Sequence, residues 1–102
     1  MVAILDDRRD AIRAACERFR VVRLDVFGSV LRDDFEPGHS DVDLLVDFEP
    51  MSPFDLADAY FGLLDELRAI LGVEVHLVMV GALKNRYIRE DVDRTKRALF
   101  PG

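Results

Sequence analysis

Three runs rich in β-branched and aromatic residues, none longer than eight, are separated here by segments of helical period, and that alternation confines the chain to a small α/β fold. The first run, Val21 to Phe27, sets Val22, Leu24 and Val26 against Arg23 and Asp25, which predicts a strand with one apolar face. The second, Asp41 to Phe48, sets Val42, Leu44, Val46 and Phe48 against Asp41, Asp43 and Asp47. The third, Val73 to Val80, is closed by Gly81. Ahead of the first strand, Ala11, Ile12, Ala15, Cys16 and Phe19 recur at helical spacing, so a helix is expected from about Asp6 to Phe19. Between the second and third strands, Ser52-Pro53 followed by Asp55 starts a helix: an N-cap, a proline at the first position and a carboxylate at the third. It should run to about Ile70, with Ala57, Tyr60 or Phe61, Leu64, Leu67 and Leu71 as its apolar stripe and Gly72 as its stop. A helical turn at Val30 to Asp34, turn chemistry at Glu36 to Ser40 and a last helix at Leu83 to about Arg94 complete the reading. The expected architecture is a small mixed sheet of about three strands, with helices mainly on one face.

With 102 residues, half of them apolar, the chain is expected to form one domain over residues 1–102. No apolar run approaches the roughly 20 residues of a membrane span, and the N-terminus turns charged at Asp6, so no secretion signal is expected. The single cysteine, Cys16, has no internal disulfide partner and reads as a small core residue. These features point to the cytoplasm. Fourteen basic against 20 acidic residues leave a net charge of −6, which argues against grip on duplex nucleic acid through many phosphates.

The acidic groups are not scattered. Alternate side chains of a strand share a face, so Asp41 and Asp43 project together from the second strand while Val42, Leu44 and Val46 form its apolar back. Neighbouring carboxylates repel, and a divalent cation relieves the repulsion; Mg²⁺ takes hard oxygen ligands from one or two carboxylates plus substrate phosphates. An isolated Asp-x-Asp is more often a solvated strand face, but here a Gly28-Ser29 pair follows the preceding strand. Its backbone N–H groups and the Ser29 hydroxyl suit an anion, and Gly28 allows close approach. Arg32, three positions on, is a further phosphate candidate, with an ion pair to Asp33 or Asp34 as the competing account. A phosphate cradle followed by paired carboxylates is the pattern of phosphoryl or nucleotidyl transfer.

Gly28-Ser29, Arg32 and the strand Ser40-Asp41-Val42-Asp43-Leu44-Leu45-Val46 resemble the minimal nucleotidyltransferases (MNT) of the polymerase β superfamily, which occur as antitoxins beside HEPN-domain ribonuclease toxins. The helix opening Met51 to Leu56, the strand Leu71 to Val78 and the segment Ala82 to Asn85 extend the resemblance over nearly the whole chain. It implies the polymerase β-like nucleotidyltransferase fold. It also implies that Gly28 and Ser29 hold the triphosphate of ATP, that Asp41 and Asp43 ligate Mg²⁺, and that AMP is transferred to a protein, typically a tyrosine of the HEPN toxin.

Two departures from the family pattern bear on function. The stretch Val30 to Ser40 is one residue longer than usual, an insertion the Pro37-Gly38-His39 turn can absorb. The second is chemical: the third carboxylate of active relatives, metal ligand and general base, aligns with His76. Imidazole is a poor Mg²⁺ ligand but accepts protons near neutrality. His76 fits either the site or a partly buried strand position, and Glu74, two residues back on the same strand face, is a candidate substitute ligand. Asp47 and His39 read as surface residues, Phe54, Tyr60 and Phe61 as core, and the basic residues between Lys84 and Arg97 as a solvated face or a partner surface. The leading expectation is an enzyme that adenylylates and neutralises a toxin. The competing one is a degenerate antitoxin that acts by binding alone, kept open by His76. Transfer to a small molecule is disfavoured because the chain has no second domain to hold an acceptor.

Overall fold

The computed structural model describes residues 7–27, 42–82 and 96–101. Helix α1 spans Arg9–Arg18, strand β1 Val21–Phe27, strand β2 Val42–Phe48, helix α2 Pro53–Leu71, strand β3 Val75–Met79 and strand β4 Arg97–Phe100, with a 3₁₀ turn at Val80–Ala82 after β3. The strands form one mixed sheet in the order β3-β2-β1-β4. β1 runs antiparallel to both β2 and β4, whereas β2 and β3 are parallel, as a β-α-β crossover through α2 requires.

Both helices cover the same sheet face. Ile12, Ala15 and Cys16 of α1 and Leu63, Leu67 and Leu71 of α2 join Leu24, Val26, Val42, Leu44, Val46, Val75, Leu77 and Leu99 in one buried cluster. The apolar back expected of β2 is therefore the floor of the core. α2 begins and ends as its sequence dictates: the Ser52 hydroxyl accepts from the Asp55 N–H at 3.2 Å, and Gly72 closes the helix at φ 69°, a left-handed conformation that costs glycine little. Tyr60 donates its hydroxyl to the Leu77 carbonyl at 2.6 Å and so ties α2 to β3.

Four features depart from the sequence expectation, each for a local reason. A bulge between Val21 and Arg23 shifts the phase of β1, so that Val21 is buried and Val22, assigned to the apolar face, is 47% exposed. α2 is rotated from its expected phase: Ala59, Leu63, Leu67 and Leu71 are buried, and Ala57, Phe54 and Phe61 point outward, leaving only Tyr60 of the aromatic trio against the core. The contact with α1 sets this rotation, because Gly62 lies under the Phe19 ring, where a Cβ would stand 2.5 Å from Cε1. On α1, Ala11 is likewise exposed and Ile12 carries the contact. Finally, the sheet has a fourth strand, β4, paired to β1 through Leu24, Asp25 and Val26. With four residues and one buried side chain, Leu99, it is too short to show a period. The expected turn at Val30 to Asp34 and the helix at Leu83 to Arg94 lie outside the described residues.

Candidate active site on the open sheet face

The face of the sheet away from the helices carries the polar residues. β1 leaves the sheet at Phe27 and β2 begins at Val42, and because the two strands are antiparallel these termini share one end of the sheet. In that row Phe27 is opposite Asp43, and Asp43 is in turn opposite His76 on β3. The two polar side chains meet there: His76 Nδ1 lies 3.7 Å from Asp43 Oδ1, with the imidazole 54% exposed and the carboxylate 28%. His76 alternates with the buried Val75 and Leu77, so the strand period itself turns it away from the core.

Glu74 goes elsewhere. Its carboxylate is held by Arg68 of α2, at 2.6 Å from Nη2 and 2.9 Å from Nε, while its carbonyl accepts the Val42 N–H at 3.0 Å. β3 thus presents His76, and not a carboxylate, beside Asp43. Asp47 is exposed two pleats further along β2, in register with Arg23, which suits the surface role expected of it. Gly28, Ser29, Arg32, His39 and Asp41 lie outside the described residues.

Asp25 is a further acidic residue of this face, one that strand alternation alone does not single out. It faces the same side as Asp43 from the central strand β1 but is 2% exposed, the one buried charged residue among those described. Arg23 Nε contacts both of its oxygens, at 3.1 and 2.9 Å, and Lys96 Nζ is 3.8 Å from Oδ2. A carboxylate is buried only with such partners. The signal was present as Arg23-x-Asp25, two opposite charges on one strand face. Cys16 is fully buried in α1, and burial, with a smaller push from the Glu17 charge, raises its thiol from 9.0 to about 12, which disfavours the thiolate that a nucleophile or metal ligand needs.

Asp43 offers the hard oxygen that Mg²⁺ takes, whereas the imidazole beside it does not suit that ion. Among the described residues no group of three His, Cys, Asp or Glu side chains is arranged to hold a metal. An apolar recess of about 330 Å³, lined in part by Val46, Phe48, Met51, Leu56, Met79 and Val80, opens at the other ends of β2 and β3, away from this pair.

The sheet carries its helices on one face and Asp43 on the other. The chain belongs to the nucleotidyltransferase domain family, whose model matches residues 8–99. Protein adenylyltransferase MntA of Thermococcus cleftensis is 45% identical over 69 residues, 68% of this chain and 66% of that protein. A Methanocaldococcus jannaschii protein provisionally named a protein adenylyltransferase is 35% identical over 79 residues, 76% of this chain and 74% of its own length. A solved structure described as that of a candidate minimal nucleotidyltransferase superposes with a TM-score of 0.67 at 37% identity, covering 91% of this chain and 90% of the other. The polymerase β-like fold implied by the sequence motifs is the fold observed.

Proposed function

We propose that the protein transfers AMP from ATP to a hydroxyl group of a protein acceptor, and that the acceptor is a HEPN-family ribonuclease toxin which this chain neutralises as its antitoxin. The observation that carries the reading is Asp43 on the open sheet face with His76 in register beside it, in a chain whose relatives bear protein adenylyltransferase names. In the proposed reaction the acceptor oxygen attacks the α-phosphorus of ATP. The new O–P bond forms as the bond to the bridging oxygen of the β-phosphate breaks, and pyrophosphate leaves. Gly28 and Ser29 would hold the triphosphate through backbone N–H groups and the hydroxyl, Arg32 would add a cation, and Asp41 and Asp43 would hold Mg²⁺, which when bound would neutralise the charge that develops on the phosphates. His76, exposed at the row where the acceptor must arrive, takes the hydroxyl proton. The cytoplasm, where ATP is abundant, is the compartment this reading requires. No helix among the described residues is long and apolar enough to cross a membrane.

Intact-mass spectrometry of the neighbouring-gene product, expressed with and without this chain, tests the proposal. A gain of one or more AMP units only in the presence of this chain supports it. The second reading, a degenerate antitoxin acting by binding alone, is favoured by one observation, the imidazole where active relatives are expected to have a carboxylate. It requires a stable complex, suppression of the toxin and no added mass.

A further inference from the structure

We infer that the outer face of α2 is a docking surface for an arginine-bearing surface of the protein partner. The inference rests on the reading above for the partner's identity, and the surface serves that protein whether it is adenylylated or only bound. Phe54, Asp58, Phe61 and Asp65 stand at i, i+4, i+7 and i+11, so they fall within about 60° of one another along roughly 16 Å of helix. The line is turned away from the buried stripe of α2, which runs through Leu63 and Leu67. Phe54 is 77% exposed and Phe61 62%, and both aspartates are exposed beside them. Single apolar side chains are ordinary on a surface, whereas aromatic rings aligned on one face with a polar border have the composition of an interface. The Phe61 ring is also held in place. It meets Tyr60 edge to face, with centroids 5.1 Å apart, and the Tyr60 hydroxyl is anchored on the Leu77 carbonyl of β3. A ring fixed in this way loses little freedom on binding, as an anchor should.

Charge then selects the occupant. α2 carries four acidic residues and one basic one, and that one, Arg68, is engaged by Glu74, while Arg18 of α1 pairs with Glu66. Among the described residues Asp58 and Asp65 stand outside every ion pair, so the face is negative. It repels phosphates and anionic lipid, and a second copy of this face would set carboxylate against carboxylate. Arginine suits both kinds of residue in the line. Its guanidinium stacks on an aromatic ring and pairs with a carboxylate through a fork of N–H donors. Because α2 covers the closed face of the sheet, a partner docked there leaves Asp43 uncovered on the other.

The full chain, titrated with the purified neighbouring-gene product at low and high salt, tests this by calorimetry. Phe61→Ala should weaken the complex by about 30-fold or more, the scale of a central aromatic anchor, and Phe61→Tyr, which keeps the ring, should retain it. Phe54→Ala, in the first turn and largely exposed, gives a second reading of the same surface. Asp58→Asn combined with Asp65→Asn should weaken binding several-fold at low salt and flatten its salt dependence. Melting temperatures should match the parent throughout. Parent affinity in all of these variants overturns the inference, as does the absence of a complex with the parent chain. A parent dimer that Phe61→Ala dissociates also overturns it, in favour of a second copy as occupant. A complex that depends on these residues without any AMP transfer would sustain the docking surface and remove the transferase reading. Transfer of AMP with an affinity indifferent to them would do the reverse.

Discussion

His76 lies in register with Asp43, and in the proposed function it takes the place of a third carboxylate, so its neighbour fixes the consequences of restoring one. His76→Asp places a second carboxylate beside Asp43, 3.7 Å from the present imidazole nitrogen, so in the absence of divalent ions it should lower thermal stability through like-charge repulsion. With Mg²⁺ and ATP it should raise the rate of AMP transfer by about 10²- to 10³-fold, the usual worth of a preorganised group that stabilises developing charge. Time courses of transfer and melting curves of the same variant check both. Equal rates in parent and variant would show that the imidazole does not impair the chemistry. Glu74→Gln should leave transfer unchanged, since Glu74 is engaged by Arg68.

Cys16 gives a second residue-level expectation. Burial, with a smaller push from Glu17, raises its thiol from 9.0 to about 12, so the fold favours the neutral form. The stability it contributes is whole below pH 9 and is lost as pH rises towards 12, at up to about 1.4 kcal/mol per unit. Denaturant titrations between pH 8 and about pH 11 should show a steeper loss for the parent than for Cys16→Ala. Identical slopes would mean that the thiolate is tolerated in the core.

At the scale of elements, α1 and α2 meet where a glycine yields to an aromatic ring. Gly62→Ala ordinarily strengthens a helix by about 0.5–1 kcal/mol. Here the added Cβ meets Phe19 at 2.5 Å, and overpacking of about 1–3 kcal/mol outweighs the gain. The single variant should therefore melt earlier than the parent. In a Phe19→Ala background the same change should stabilise, and a double-mutant cycle by denaturant titration measures the difference. Additive behaviour would place the close approach elsewhere. This contact also shows what the sequence could not disclose. Apolar spacing announced α2 and its caps, but Leu63 and Leu64 serve equally well as core residues until the partner helix fixes the rotation. Likewise, alternation announced β1, and only pairing with β2 reveals the bulge that exchanges Val21 for Val22. β4 left no period because it is four residues long, and its partner is β1, over seventy residues earlier in the chain.

At the scale of the whole molecule, the mixed sheet separates two tasks. One face is closed by α1 and α2 and supplies cohesion, and the other carries Asp25, Asp43, Asp47 and His76 and, in the proposed function, the chemistry. The register of Asp43 with His76 confirms neither as catalytic, but both stand out in the sequence: Asp43 by its alternation with Val42 and Leu44, and His76 by its alignment with the third carboxylate of the family the motifs resemble. Asp25 was passed over because burial of a polar residue on the open face depends on a central position in the sheet, which no local pattern encodes. The excess of negative charge, a net −6, suits a domain that meets its acceptor through protein contacts rather than through nucleic-acid phosphates.

In the proposed function, Asp43 on the open face is part of the nucleotidyl-transfer site. The decisive measurement is the rate of AMP transfer from ATP to the partner protein, compared between the parent and Asp43→Asn, a change that keeps side-chain size and leaves the buried back of β2 untouched. The rate should fall by at least about 10³-fold, the scale expected when a group acting chiefly in the transition state is removed, with melting temperature and complex formation retained. Transfer by Asp43→Asn within a few-fold of the parent rate would contradict the assignment.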